Sequence, residues 1–245
     1  MSPRRLIVLG TGTDVGKTHV GSVVLSALSA QGVAVLGLKP VESGIDPGTE
    51  WASTDAGRLG AATGRLVKPL HGLVPPISPH LAARQIGLAL ELDELEHWIE
   101  AQEAGPTQEG LTKPELSWIE TAGGAFSPLS ERATNWDLAL RLARPGDRLL
   151  LIAPDALGTL HDCTATLLAM VGSGRLPDAI LFSQARPLDA SSGTNAEELA
   201  RLVLPRPELQ RSGCARPALL GTLRRGGHPS DCDEIMRWLG EWLGV

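Results

Sequence analysis

The chain has 245 residues, is 42% hydrophobic and carries a formal net charge of −6. That length fits one large α/β domain, residues 1–245, and the hydrophobic share supports a sizeable core. The acidic balance argues against a nucleic-acid surface, and no apolar run reaches membrane-spanning length. Three cysteines, Cys163, Cys214 and Cys232, form an odd and widely spaced set. They imply neither a disulfide framework nor a zinc site, and read as free thiols of a reducing cytosol. The opening Met1-Ser2-Pro3-Arg4-Arg5 lacks the layout of a signal peptide, so the chain reads as cytoplasmic.

In chain order, residues 6–9 are an apolar run that predicts a buried strand. Gly10-Thr11-Gly12-Thr13-Asp14-Val15-Gly16-Lys17-Thr18 follows, and residues 19–28 then read as a helix. A strand, a Gly-rich turn ending in Gly-Lys-Thr and a helix form a phosphate cradle. Glycines let backbone N–H groups face an anion, and the helix N-terminus adds positive potential. Lys17 suits the β- and γ-phosphates of a nucleoside triphosphate, and the Thr18 hydroxyl suits Mg²⁺. The common pattern puts four residues between its first Gly and the Gly-Lys pair, whereas Gly10 leaves five before Gly16.

A short strand is predicted over 33–38, ending in Lys39-Pro40-Val41-Glu42-Ser43-Gly44. Ser53-Thr54-Asp55 reads as the cap of a helix over 56–62. Residues 67–78 read as a Pro- and Gly-rich loop, with helical pattern from Pro79 and again over 92–102. A polar connection spans 104–114. Strands are expected at 116–120, 148–153, 179–183 and 217–221, and helices at 158–171 and 196–202. Ser230 is the expected cap of a last helix that puts Ile235, Met236, Leu239 and Trp242 on its apolar side. This alternation predicts a mainly parallel sheet with helices on both faces. Ligands then gather at the carboxyl ends of the strands, where the turns at 10–18, 39–44 and 120–124 fall. The pairs Arg4-Arg5 and Arg224-Arg225 read as solvated strand ends. His19, His71, His97 and His228 read as surface or packed side chains.

Two carboxylates fall where a phosphate site needs them: Asp55 at a helix start and Glu120 at a strand end. Mg²⁺ prefers oxygen ligands and takes one or two carboxylates. Lys39, fixed before Pro40, adds a second lysine to stabilise charge in phosphoryl transfer.

Four segments together resemble dethiobiotin synthetase: Gly10 to Thr18, Lys39 to Gly44, Ser78-Pro79-His80, and Glu120-Thr121-Ala122-Gly123-Gly124-Ala125-Phe126-Ser127-Pro128-Leu129. Leu157-Gly158-Thr159-Leu160-His161 also fits, and the family's own phosphate loop has the five-residue spacing. The resemblance implies a P-loop ligase that joins CO₂ to 7,8-diaminononanoate with ATP and Mg²⁺ and closes a cyclic urea. It implies that Lys17, with Asp14, Val15, Gly16, Thr18 and His19, holds the phosphates. Thr18, Asp55 and Glu120 hold Mg²⁺, and Thr121, Ala122 and Gly123 belong to the nucleotide side. Lys39 stands between carbamate and γ-phosphate, while Thr13, Asp14 and Ser43 line the diamine site. Gly158, Thr159, Leu160 and His161 bind the distal carboxylate from the neighbouring subunit, which implies a homodimer.

The chain departs from the family at Thr121, where Gly is usual, and at His161, where Asn is common. Ser183-Gln184 stands where the family often reads adenine with Asn-Asp, and Arg224 stands near a usual proline. Those departures predict a base pocket that accepts other nucleotides. Two other P-loop classes remain as alternatives. A cobyrinate-amidase-like synthetase normally adds a glutamine amidotransferase region with a nucleophilic Cys. A partitioning-type ATPase carries an extra loop lysine, where this chain has Thr11 and Thr13.

Overall fold

The structure is a computed structural model describing residues 2–105, 112–210, 213–226 and 232–245. Its centre is a parallel sheet of six strands: β1 (Arg4–Gly10), β2 (Val35–Leu38), β5 (Leu116–Glu120), β6 (Arg148–Asp155), β7 (Ala179–Gln184) and β8 (Ala218–Leu223). Their spatial order is β2-β5-β1-β6-β7-β8. Val35, Leu36 and Leu38 in β2, and the whole of β5, are buried on both faces, as parallel strands covered by helices must be.

Alternate residues of β1 separate the two cores. Leu6 and Val8 face a layer made by α1 (Lys17–Ala30), α2 (Asp55–Thr63) and α9 (Asp233–Leu243). Ile7 and Leu9 face the opposite layer, with α3 (Pro79–Gln85), α4 (Leu92–Ala104), α5 (Asn135–Leu142) and α6 (Thr159–Gly172). Close approach of α1 depends on Gly21, where a Cβ would meet Leu59 at 2.7 Å and the fully buried Trp118 at 3.0 Å. Short helices α7 (Asn195–Glu198) and α8 (Pro207–Gln210), with a π turn over Leu199–Val203, lead towards β8.

Several elements depart from the sequence reading. The turn at 39–44 and the loop at 67–78 contain β3 (Val41–Ser43) and β4 (His71–Leu73), which pair in parallel as a separate ribbon. Helix α5 was not expected. Thr134 starts it through a capping box: its side chain accepts from the Asp137 N–H, and Asp137 accepts from the Thr134 N–H. Arg5 is no solvated strand end. It is 1% exposed and forms a bidentate pair with Glu103 of α4, at 2.9 and 2.7 Å. Burial works against its charge, and Glu103 more than offsets that, raising its pKa. The Ser230 cap, His228 and most of the 104–114 connection lie outside the described residues. No described helix is long and apolar enough to cross a membrane.

Candidate functional site at the carboxyl edge of the sheet

The loop from β1 to α1 is shaped by contacts a side chain would forbid. A Cβ on Gly10 would meet Gly12 O at 2.8 Å and Lys17 Nζ at 2.9 Å. Gly16 caps α1 at φ 96°, and a Cβ there would overlap the side chain of Ser183. Asp14 holds φ 57°, a left-handed conformation rare outside glycine and typical of loops that clamp ligands. Helix α1 has no side-chain cap, so its first N–H groups face the loop cavity.

Strand order then assembles the charged groups. Because β5 lies between β2 and β1, Glu120 at its end falls between Lys39, just after β2, and the loop that follows β1. Lys39 Nζ lies 2.6 Å from Glu120 Oε1 and 3.1 Å from Asp55 Oδ2. The Thr18 hydroxyl donates to Glu120 Oε1 at 2.7 Å. Lys17 Nζ donates to the carbonyls of Gly123, at 2.8 Å, and Gly12, at 3.2 Å. Glu120 is buried, and its Oε2 has no partner among the described residues.

The titrations follow from this packing. Burial disfavours the Lys39 cation, but Glu120 and Asp55 outweigh it and hold its pKa above the ordinary value. Burial would raise Asp55, and Lys39 reverses the sign, holding its carboxyl below the usual range. Among the described residues, no carboxylate forms an ion pair with Lys17. Burial, then the neighbouring Lys39 charge, push it down to about 8.

Two clefts meet at this cluster. One, of about 350 Å³, is lined by Asp14, Gly16, Lys17, Thr18, His19 and Glu120, together with Arg58 and Arg225. The second, of about 340 Å³, is lined by Glu42, Ser43, Ile77, Ser78, Ala122 and Ser127. Thr13, Asp14, Lys39, Asp55 and Gly123 line both. Lys39 therefore stands in a wall shared by a basic, loop-walled cleft and a mixed polar and apolar one.

Supporting residues fix this wall. Glu42 accepts the N–H groups of Asp55, at 2.6 Å, and Ala56, at 3.0 Å, and so seats the first turn of α2. The Thr54 hydroxyl accepts from Gly57 N, the expected cap. Buried Asn135 donates to the carbonyls of Ala122 and Gly124 and holds the turn after β5. Thr121 fits without strain: it is buried, its hydroxyl donates to Val8 O at 2.9 Å, and Gly123 takes the positive φ. Ser78 Oγ donates to Pro128 O and lies 2.9 Å from His80 Nδ1.

Other expected residues lie elsewhere. Val15 packs into the core rather than facing the cleft. Ser183 is buried under Gly16, and Gln184 is engaged with Arg225, so neither lines the cleft. Gly158 and His161 are exposed at the start of α6, Leu160 is half-buried, and Thr159 is buried against Cys163. This segment lines neither cleft. Glu42, Arg58, Asn135 and Arg225 were not among the site residues expected from sequence. Arg225 is no solvated strand end, since it lines the loop cleft.

A family profile described as an AAA domain matches residues 4–201. The ATP-dependent dethiobiotin synthetase of Caulobacter vibrioides is 37% identical over 196 residues, which cover 76% of this chain and 82% of that protein. The one from an Anaeromyxobacter species is 32% identical over 236 residues, 90% of this chain and 99% of that protein. Among solved structures, the hydrogenase maturation factor HypB of Helicobacter pylori, in complex with nickel, overlays with a TM-score of 0.49 at 12% identity. That overlay covers 99% of this chain and 87% of that one. The chain belongs to the ATP-dependent dethiobiotin synthetase family of ligases.

Proposed function

We propose that this enzyme forms dethiobiotin from 7,8-diaminononanoate, CO₂ and ATP, as the family name implies, within biotin synthesis. One amine takes CO₂ to give a carbamate. The γ-phosphoryl group passes to a carbamate oxygen, giving a mixed anhydride and ADP. The second amine attacks the carbamoyl carbon, the C–O bond to phosphate breaks, and the ureido ring closes. The protein supplies no covalent nucleophile; it positions reactants and neutralises charge.

The supporting observation is Lys39 in the wall common to both clefts. A cation there can face a carbamate on one side and a γ-phosphate on the other. Lys17 and the N–H groups of Gly16, Lys17, Thr18 and His19 suit the triphosphate. Thr13, Asp14 and Ser43 suit the diamine, since a carboxylate and two hydroxyls accept from amine protons. Mg²⁺ fits the donor set: Thr18, Asp55 and Glu120 offer only oxygens, and Glu120 Oε2 lacks a partner among the described residues. Bound there, the ion would neutralise phosphate charge. The α6 N-terminus, Gly158 to His161, with Gly158 and His161 exposed, suits the distal carboxylate of a substrate held by a second copy in a homodimer. The whole chain, 1–245, acts as one P-loop unit in the cytoplasm.

The test supplies diamine, bicarbonate, Mg²⁺ and ATP, and measures phosphate release coupled to dethiobiotin. The reading expects release that depends on the diamine and matches product one to one. Hydrolysis indifferent to the diamine, or no product with any nucleotide, would overturn it.

A further inference from the structure

Arg225 follows β8 at the ligand edge of the sheet and lines the loop cleft that Gly16, Lys17 and His19 also line. One residue anchors it twice. The Arg225 backbone N–H donates to Gln184 Oε1 at 2.9 Å, and its Nε donates to the Gln184 carbonyl at 2.9 Å. Gln184 ends β7, which pairs with β8. The guanidinium is thus held between two paired strands rather than swinging from a surface loop. A planar fork fixed in advance loses less conformational freedom when it grips an anion.

The surrounding charges point the same way. Lys39 is already paired with Glu120 and Asp55. His19 lines the same cleft as Arg225. Arg225 supplies permanent positive charge on the His19 side of the cleft. Guanidinium groups only donate, and they match phosphate oxygens bidentately. Arg225 shares this cleft with the first turn of α1, whose N–H groups suit phosphate rather than a base.

We infer that Arg225, locked by Gln184, is a positioning residue that grips the phosphates of the bound nucleoside triphosphate, and that Gln184 serves this guanidinium rather than the base. The inference rests on the nucleotide site proposed above and adds a holding group that the sequence motifs do not contain. It predicts a contribution common to every nucleotide, because phosphates are common to all.

The experiment is direct binding to the full chain by calorimetry, with ATP, GTP, CTP, ADP and adenosine. Arg225→Ala is expected to weaken ATP, GTP, CTP and ADP by one shared factor, roughly ten- to hundredfold, the scale of a hydrogen bond to a charged group. Adenosine binding stays unchanged. Gln184→Ala, which leaves the guanidinium but frees it, weakens the same nucleotides by about two- to tenfold. Arg225→Lys keeps the charge without the fork, falls between wild type and Arg225→Ala, and serves if the alanine variant does not fold. An unchanged ATP affinity, a loss confined to one base, or an equal loss for adenosine overturns the inference. A wild-type protein that binds no nucleotide overturns the proposed function itself, and the inference with it.

Discussion

Replacing Lys39 by alanine separates a charge that serves chemistry from one that serves folding. Lys39 is 4% exposed and meets two carboxylates, Glu120 at 2.6 Å and Asp55 at 3.1 Å. Deleting it leaves Glu120 buried without its contacting cation. Breaking a buried pair on one side costs about 3–5 kcal/mol. For a chain of this size 1 kcal/mol moves Tm by about 2–4 °C, so a fall of roughly 6–20 °C is expected. Activity should fall further than stability explains. Removing one preorganised group from a developing charge costs roughly 10²–10³ in kcat. The assay is dethiobiotin formation at a temperature well below the lowered Tm, with thermal unfolding measured with and without Mg²⁺. In Lys39→Ala the freed carboxylates should bind Mg²⁺ without nucleotide, so the metal restores part of Tm and none of the turnover. A variant whose kcat stays within a factor of about three of wild type would refute the role of Lys39 between the two clefts.

Three further outcomes test the surrounding structure. Gly16→Ala should abolish nucleotide binding in calorimetry, because φ 96° and the side chain of Ser183 leave no room for a Cβ; normal binding would contradict the loop geometry. Arg5→Ala should lose about 3–5 kcal/mol in denaturant unfolding by leaving buried Glu103 only the longer Arg144 pair at 4.0 Å, whereas Arg5→Leu with Glu103→Leu should recover most of it. Cys163 is buried and its thiol is pushed up to about 12 by that burial, so at pH 8 about one molecule in 10⁴ carries the thiolate. Mass spectrometry should find Cys163 unmodified by iodoacetamide in the native protein and modified in denaturant.

The parts of the site readable from sequence are those whose geometry is local. The Gly10 to Thr18 loop carries its own shape, because the glycines, Lys17 and the helix that follows are adjacent in the chain. Lys39, Asp55 and Glu120 could be placed because each closes or opens a regular element. Asn135 and α5 had a local signal in Thr134 and Asp137, three residues apart, and in the apolar spacing of Trp136, Leu138, Ala139 and Leu142. Strands β3 and β4 had none, since three paired residues show no period. Glu42 and Arg225 had none either: each acts on groups that reach it only once the sheet has formed. Arg5 misled for a related reason. Arginine at the start of a strand is ordinarily solvated, and nothing nearby in sequence announces Glu103, which closes on it from the last turn of α4.

The placement of Lys39 follows from one topological choice. If β5 lay outside β2, Lys39 and the phosphate loop would occupy adjacent strand ends, and Glu120 would sit on the far side of Lys39 from Thr18. Inserting β5 between β2 and β1 instead makes Glu120 the neighbour of both, so one carboxylate accepts from Thr18 and pairs with Lys39. The same insertion spreads Lys39 away from Lys17 by a strand, which limits the repulsion that already lowers Lys17. The small β3–β4 ribbon then continues the chain from Lys39 so that Glu42 seats Asp55 opposite Glu120. Each of these contacts uses a backbone or carboxylate already placed by another, so the charged wall is built before any ligand arrives. Such preorganisation is what the proposed transfer of a phosphoryl group between two bound substrates would demand of the protein.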